Sequence, residues 1–223
     1  MTILFQKDWD LYPSAIVHHN TKNQSFIRIS ALLKEMGVRN HLISLQLHNP
    51  ELLKVDPFDP QLSLEEMIMI GLECKNNFYY FIREIVRDPN GSIQNPIHYK
   101  ANRANIAVPW LFFNHITTLV CLMRQSGKSY LANSLMAYLL NIACTNSNIN
   151  LLTKDNTLRA SNLISLKSMI EEMPYYLQQL SKSDIANTEE ISIKSLGNYL
   201  RGLLPKISPK QALAVGRGHV SAC

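Results

Sequence analysis

Residues 124–129 of the chain read Arg-Gln-Ser-Gly-Lys-Ser. Glycine followed by lysine and a hydroxyl residue closes a phosphate-binding loop when it lies between a strand and a helix. Gly127 lets the backbone come close to a phosphate that a side chain would strike. Backbone N–H groups from Gln125 through Ser126 to Ser129 would face the anion, and the positive end of the following helix adds to their field. Lys128 brings a mobile ammonium to the β- and γ-oxygens, and the Ser129 hydroxyl is a ligand for Mg2+. The usual pattern has another glycine five residues before Gly127, where this chain has Leu122. On the residues alone, the other reading is a strand end followed by an ordinary helix N-terminus.

The flanks must supply the strand and the helix. Residues 116–123, Ile-Thr-Thr-Leu-Val-Cys-Leu-Met, are β-branched and apolar, and predict a buried parallel strand. Residues 129–144 predict the helix after the loop. Residues 149–153 predict a second short strand. A helix follows from about residue 154, capped by Asp155 or Asn156 and broken at Pro174. This order is the start of an α/β parallel sheet with crossover helices. Upstream, residues 25–38 predict a short amphipathic helix ending near Gly37, and the three prolines within residues 48–61 a connector. Ser63 with Glu66 forms a capping box for a helix whose apolar stripe, Ile68, Leu72, Phe78, Ile82 and Ile85, predicts packing into a core. Trp110, Phe112 and Phe113 are expected in the core as well.

The 223 residues are 46% hydrophobic, enough for one substantial core or one domain with an appendage. No apolar run is long enough to cross a bilayer, and the first residues lack a basic-then-apolar signal layout. A soluble intracellular protein is the expectation. Cys74, Cys121, Cys144 and Cys223 form no close pair, so buried or free thiols fit better than a disulfide framework or a zinc knuckle. His18-His19 reads as a surface pair rather than a metal site. The charge is uneven. Residues 1–99 hold 9 basic and 11 acidic side chains, net −2, and residues 100–223 hold 13 and 6, net +7. The basic residues near the end are Lys194, Arg201, Lys206, Lys210 and Arg217. They suit phosphate groups of a nucleotide or a nucleic-acid backbone, or simply a solvated face.

Arg124, Gln125, Gly127, Lys128 and Ser129, with an apolar residue replacing the first glycine, resemble the variant Walker A loop of tailed-phage terminase large subunits. These are DNA-packaging motors whose loop reads Ser-Arg-Gln-x-Gly-Lys-Ser/Thr. Met123 stands where that serine falls. The strand, polar turn and helix of residues 150–178, with Met-Pro-Tyr-Tyr-Leu at 173–177, are similar to the family's next segment. Residues 212–222, Ala-Leu-Ala-Val-Gly-Arg-Gly-His-Val-Ser-Ala, resemble the stretch before its Walker B strand. Residues 74–87 resemble the helix that precedes its ATPase core.

The resemblance implies an incomplete P-loop NTPase of the ASCE type over residues 61–223, a parallel sheet with flanking helices, after a mainly helical segment 1–60 of unnamed role. It implies ATP and Mg2+ as cofactors, with Arg124 acting as an arginine finger beside Lys128 in catalysis. The family's adenine-reading glutamine falls about nineteen residues before the loop arginine, where this chain has Asn105. Asn105 either reads adenine or is a surface residue. The implied setting is the host cytoplasm. The implied partners are double-stranded DNA, a portal protein, a small terminase subunit and further copies in a ring, with no membrane. No Asp-Glu pair follows the Gly-Arg-Gly stretch before Cys223, so the expectation is an N-terminal fragment or the product of a split or truncated gene. Such a chain would bind ATP weakly and hydrolyse it poorly. A catalytically silent P-loop module that binds portal or small terminase, and another P-loop motor such as a helicase, are the alternatives.

Overall fold

Asn23 starts the first helix. Its side chain accepts from the Ser25 amide, and the helix α1 (Gln24–Glu35) buries Phe26, Ile29, Ser30 and Leu33 along one face. Gly37, at φ 76°, ends it as the left-handed residue after the cap, with the Val38 amide donating back to Leu33. These features lie where the apolar spacing and the glycine predict them. The computed structural model describes residues 14–88, 97–123 and 126–204. It divides into two compact units, Met1–Ser126 and Gly127–Cys223. The architecture is mixed α/β with small sheets. Among the described residues, no helix is long and apolar enough to cross a membrane.

In the first unit β1 (Ile16–Val17) pairs antiparallel with β2 (Gln46–Leu47). Residues 48–61 form a 3-10 turn, Pro50–Lys54, and two turns closed by the carboxylates of Asp56 and Asp59. The predicted capping box is present. The Ser63 amide donates to Glu66 at 2.8 Å and the Glu66 amide to Ser63 Oγ at 3.2 Å, opening α2 (Leu64–Asn76). The predicted core stripe divides at Asn77. This residue is extended, at φ −137°, and caps a new short helix α3 (Phe78–Tyr80) that runs into a π-turn, Phe81–Ile85. The break resets the helical phase. Phe78, Ile82 and Ile85 are buried as expected, whereas Ile68 and Leu72 face solvent and α2 buries Ile70, Glu73 and Cys74 instead.

The core of this unit is partly polar. Arg83 is fully buried, and its Nε donates to Glu84 Oε1 at 2.7 Å. Thr21 Oγ1 donates to the same oxygen at 2.7 Å, and His18 Nδ1 stands 3.4 Å from it. His18 is therefore a buried neighbour of a carboxylate rather than one of a surface pair; His19 is exposed. Burial alone would raise the Glu84 carboxyl. The contacts with His18, Arg83 and Thr21 outweigh it and hold the group at about 2. A second buried acid, Glu73, accepts from the His48 amide at 2.9 Å, the Asn49 amide at 2.9 Å and Asn77 Nδ2 at 2.7 Å.

After β3 (Arg87–Asp88), paired antiparallel with β4 (Ile97–His98), comes α4 (Arg103–Phe113), capped by Asn102. Phe112 and Phe113 are exposed and Trp110 is only partly buried, against the expectation of a core cluster. Residues 116–123 differ most from expectation. They form no strand and are exposed, Leu119 at 90% and Met123 at 84%. Their β-branched composition expresses a propensity, and a strand also requires a neighbouring ladder for its backbone groups. The expected parallel P-loop sheet containing this run is accordingly not what the fold presents.

The second unit opens with α5 (Lys128–Tyr138), which runs into a π-turn, Leu139–Ala143. Then follow β5 (Asn148–Leu152), α6 (Asn156–Glu171) capped by Asp155, β6 (Glu190–Ile193) and β7 (Asn198–Leu203). The sheet order is β5-β7-β6, with β5 and β7 parallel and β6 antiparallel to β7. The strand predicted at residues 149–153 is present as β5, but its parallel partner is β7, which was not expected, rather than residues 116–123. The β6–β7 hairpin was not expected, although residues 190–203 alternate and Gly197 turns them at φ 68°. Asn198 secures this arrangement. It is fully buried, its Nδ2 donates to the carbonyls of Leu140 at 2.8 Å and Cys144 at 2.7 Å, and its Oδ1 accepts from the Ser147 amide at 2.9 Å.

Candidate functional site

The glycine of the Gly-Lys-Ser triplet is in the conformation that only glycine adopts readily. Gly127 has φ 78° and ψ 14°, and it is the N-cap of α5. Its carbonyl accepts from the Leu131 amide at 2.9 Å, closing the first turn. A glycine cap brings no side-chain acceptor, so the amides of this first turn are not capped by the residue that starts the helix. Lys128 and Ser129 are the first two helical residues, both exposed.

These two side chains open onto a cleft of about 210 Å3 within the second unit, lined further by Ala132, Asn133, Met136, Leu151 and Asn162. Met136 and Leu151 give it apolar wall, while Lys128, Ser129 and the two asparagines give it polar groups. Asn133 follows Ser129 by four residues on α5, so one helix face carries both. Asn162 comes from α6 and Leu151 from β5. Helical spacing from the loop points to Asn133; only the tertiary packing brings in Asn162. A positive side chain, a hydroxyl and a helix N-terminus converging on one concavity suit an anionic oxygen ligand. Ser129 contributes a hydroxyl to the cleft. Among the described residues no group of three or more His, Cys, Asp or Glu is arranged to hold a metal.

The loop before the helix belongs to the first unit up to Ser126. Ser126 Oγ donates to the Met123 carbonyl at 2.8 Å, and the Ser126 carbonyl accepts from Asn102 Nδ2 at 3.2 Å. Arg124 and Gln125 lie outside the described residues. Asn105 lies in the first turn of α4 and is 3% exposed, so it is not a surface residue. Its amide N–H donates to Asn102 Oδ1 at 3.1 Å and its Nδ2 to the Lys100 carbonyl at 3.3 Å, while its buried Oδ1 has no hydrogen-bond partner. Of the basic residues near the end, Lys194 and Arg201 belong to the β6–β7 hairpin. Lys194 Nζ donates to the Ser183 carbonyl at 2.8 Å and Arg201 stands 3.5 Å from Glu190. Lys206, Lys210 and Arg217 lie outside the described residues. Comparison with models of known protein families and with characterised proteins found no match to this chain.

Proposed function

We propose that the second unit binds a nucleoside triphosphate with Mg2+ at the head of α5, and that the chain is the nucleotide-binding part of a terminase-like motor coupling ATP hydrolysis to movement of double-stranded DNA. The observation that carries the reading is the left-handed Gly127 at the cap of α5, with Lys128 and Ser129 in the first turn lining one cleft. A phosphate loop requires this combination: a glycine free of Cβ at the start of a helix, and a lysine and hydroxyl on the same rim. The identity of the motor rests on the resemblance of residues 124–129 to the terminase loop. Arg124 and Gln125 complete that motif in sequence. DNA, portal and small terminase are the partners of this reading.

A catalytically silent nucleotide-binding module is the second reading. The cleft lining consists of Lys128, Ser129, two asparagines and apolar side chains. That set grips phosphate and includes no carboxylate to orient or activate a water. Titration calorimetry with Mg-ATP on the wild-type chain and on Lys128→Ala tests the binding proposal. Heat of binding in the wild type and none in the variant is the expected result, and equal binding by both would sink it. Steady phosphate release from the wild type, abolished in Lys128→Ala, separates the motor from the silent module.

A further inference from the structure

Among the described residues of the second unit three asparagines are buried: Asn133 at 4%, Asn141 at 1% and Asn198 at 0% exposure. Two of them are satisfied inside the fold. Asn141 donates to the Leu177 carbonyl at 2.7 Å and accepts from the Gln179 amide at 3.0 Å. Asn198 donates to the Leu140 and Cys144 carbonyls and accepts from the Ser147 amide. Asn133 differs. Its carboxamide has no hydrogen-bond partner among the described residues, and it lines the cleft at the head of α5. Asn162 lines the same cleft from α6 but is only partly buried, so water can serve it. A buried amide without a partner costs stability that an apolar residue of similar size would not. Its place in the cleft gives that cost a reason: the missing partner is a ligand.

We propose that Asn133 reads the terminal phosphate of the polyphosphate bound at the head of α5, its Nδ2 donating to an oxygen of that group. This rests on the nucleotide reading and adds to it a preference for a triphosphate over a diphosphate. Asn133 lies one turn beyond Ser129, about 6 Å further along the helix axis. Helical side chains lean toward the N-terminus, so its amide reaches back toward an anion at the head of the helix. The cleft's volume of about 210 Å3 is below the roughly 300 Å3 at which sites for whole small-molecule ligands begin. The phosphate end therefore enters and the nucleoside stays outside. The loop and the helix start hold the inner phosphates, and the group that reaches past them to Asn133 is the end of the chain. A carboxamide donor to a charged oxygen makes a strong hydrogen bond without bringing a charge of its own.

Titration calorimetry with Mg-ATP and with Mg-ADP, beside urea melts of the ligand-free chain, tests it on the wild type and on Asn133→Leu. Leucine keeps the volume and the helix and removes the donor. Without ligand, the urea midpoint of the variant should equal or exceed that of the wild type, because no bond within the fold is lost. Mg-ATP should bind the variant about tenfold more weakly, the loss of one hydrogen bond to a charged group, and Mg-ADP should bind within about twofold of wild type. A lower midpoint would show that the amide serves the fold, and overturns the proposal. Undiminished affinity of the variant for Mg-ATP overturns it too. Equal loss for both nucleotides would place the contact on the inner phosphates or on the metal's water, and overturns it as well. Each of these outcomes leaves the nucleotide reading standing. That reading fails separately, when the wild type binds neither nucleotide or when Lys128→Ala binds as the wild type does, and the role of Asn133 falls with it.

Discussion

The side-chain amide of Asn102 donates to the backbone carbonyl of Ser126 across 3.2 Å, while its oxygen caps α4 by accepting from the Asn105 amide at 3.1 Å. One side chain thus starts a helix and restrains the residue before Gly127. Asn102→Asp separates the two roles. A carboxylate keeps the cap and loses the donor. Thermal or urea melts should show stability within about 0.5 kcal/mol of wild type, and calorimetry should show weaker Mg-ATP binding. Asn102→Ala loses both roles and should cost about 1 kcal/mol in the same melts.

Lys128 and Gly127 should respond differently to substitution. Lys128 is exposed at the start of α5, so Lys128→Ala should leave stability within about 0.5 kcal/mol while removing Mg-ATP binding. Gly127 is at φ 78°, where an L side chain is strained. Gly127→Ala should cost about 1 kcal/mol and also impair binding, because its methyl occupies the anion's approach. Urea midpoints beside calorimetric titrations distinguish the two variants.

Asn198 should be a pillar of the second unit. Its two donor bonds and one acceptor bond tie the π-turn after α5 and the residues leading into β5 to β7 in a fully buried position. Asn198→Ala leaves the Leu140 and Cys144 carbonyls without this donor and should destabilise by about 2–3 kcal/mol in denaturant titrations. A loss below about 0.5 kcal/mol would show that water replaces the amide there.

Glu84 makes the first unit acid-sensitive. Its carboxyl is depressed in the fold, so its stabilisation is complete above the ordinary value of 4.5 and is lost as pH falls to about 2. The shift corresponds to on the order of 3 kcal/mol at neutral pH. Glu84→Gln should therefore be less stable than wild type near neutrality by roughly that amount, since it also leaves the buried Arg83 without its counter-charge. The gap should close as the solution is acidified toward pH 2. A gap independent of pH would show that the charge of Glu84 is not what stabilises the unit.

DNA binding, where the motor reading applies, should be weak and steeply salt-dependent. Lys194 and Arg201 already contact the Ser183 carbonyl and Glu190. Neutralising both, Lys194→Gln with Arg201→Gln, should lower the slope of log affinity against log salt by about 2 at most. Fluorescence anisotropy over a salt series measures that slope, and binding indifferent to salt would exclude a phosphate-backbone mode.

Local chemistry was legible in the sequence. The Ser63–Glu66 capping box, the Asp155 cap, the Gly37 stop, the helix after the phosphate motif and the strand at residues 148–152 depend on neighbours a few positions away. Short-range hydrogen bonds and φ preferences determine such features. The cleft at the head of α5 was half legible. Lys128 and Ser129 are adjacent in the chain, whereas Asn162 and Leu151 reach the cleft through packing of α6 and β5. Three matters were decided only by the tertiary structure. Asn77 adopts an extended conformation and divides the predicted apolar stripe, leaving Ile68 and Leu72 exposed while Phe78, Ile82 and Ile85 are buried. His18 is buried beside Glu84, a residue distant in sequence. Residues 116–123 carry every local mark of a strand and form none, because pairing is a property of two segments and composition describes only one.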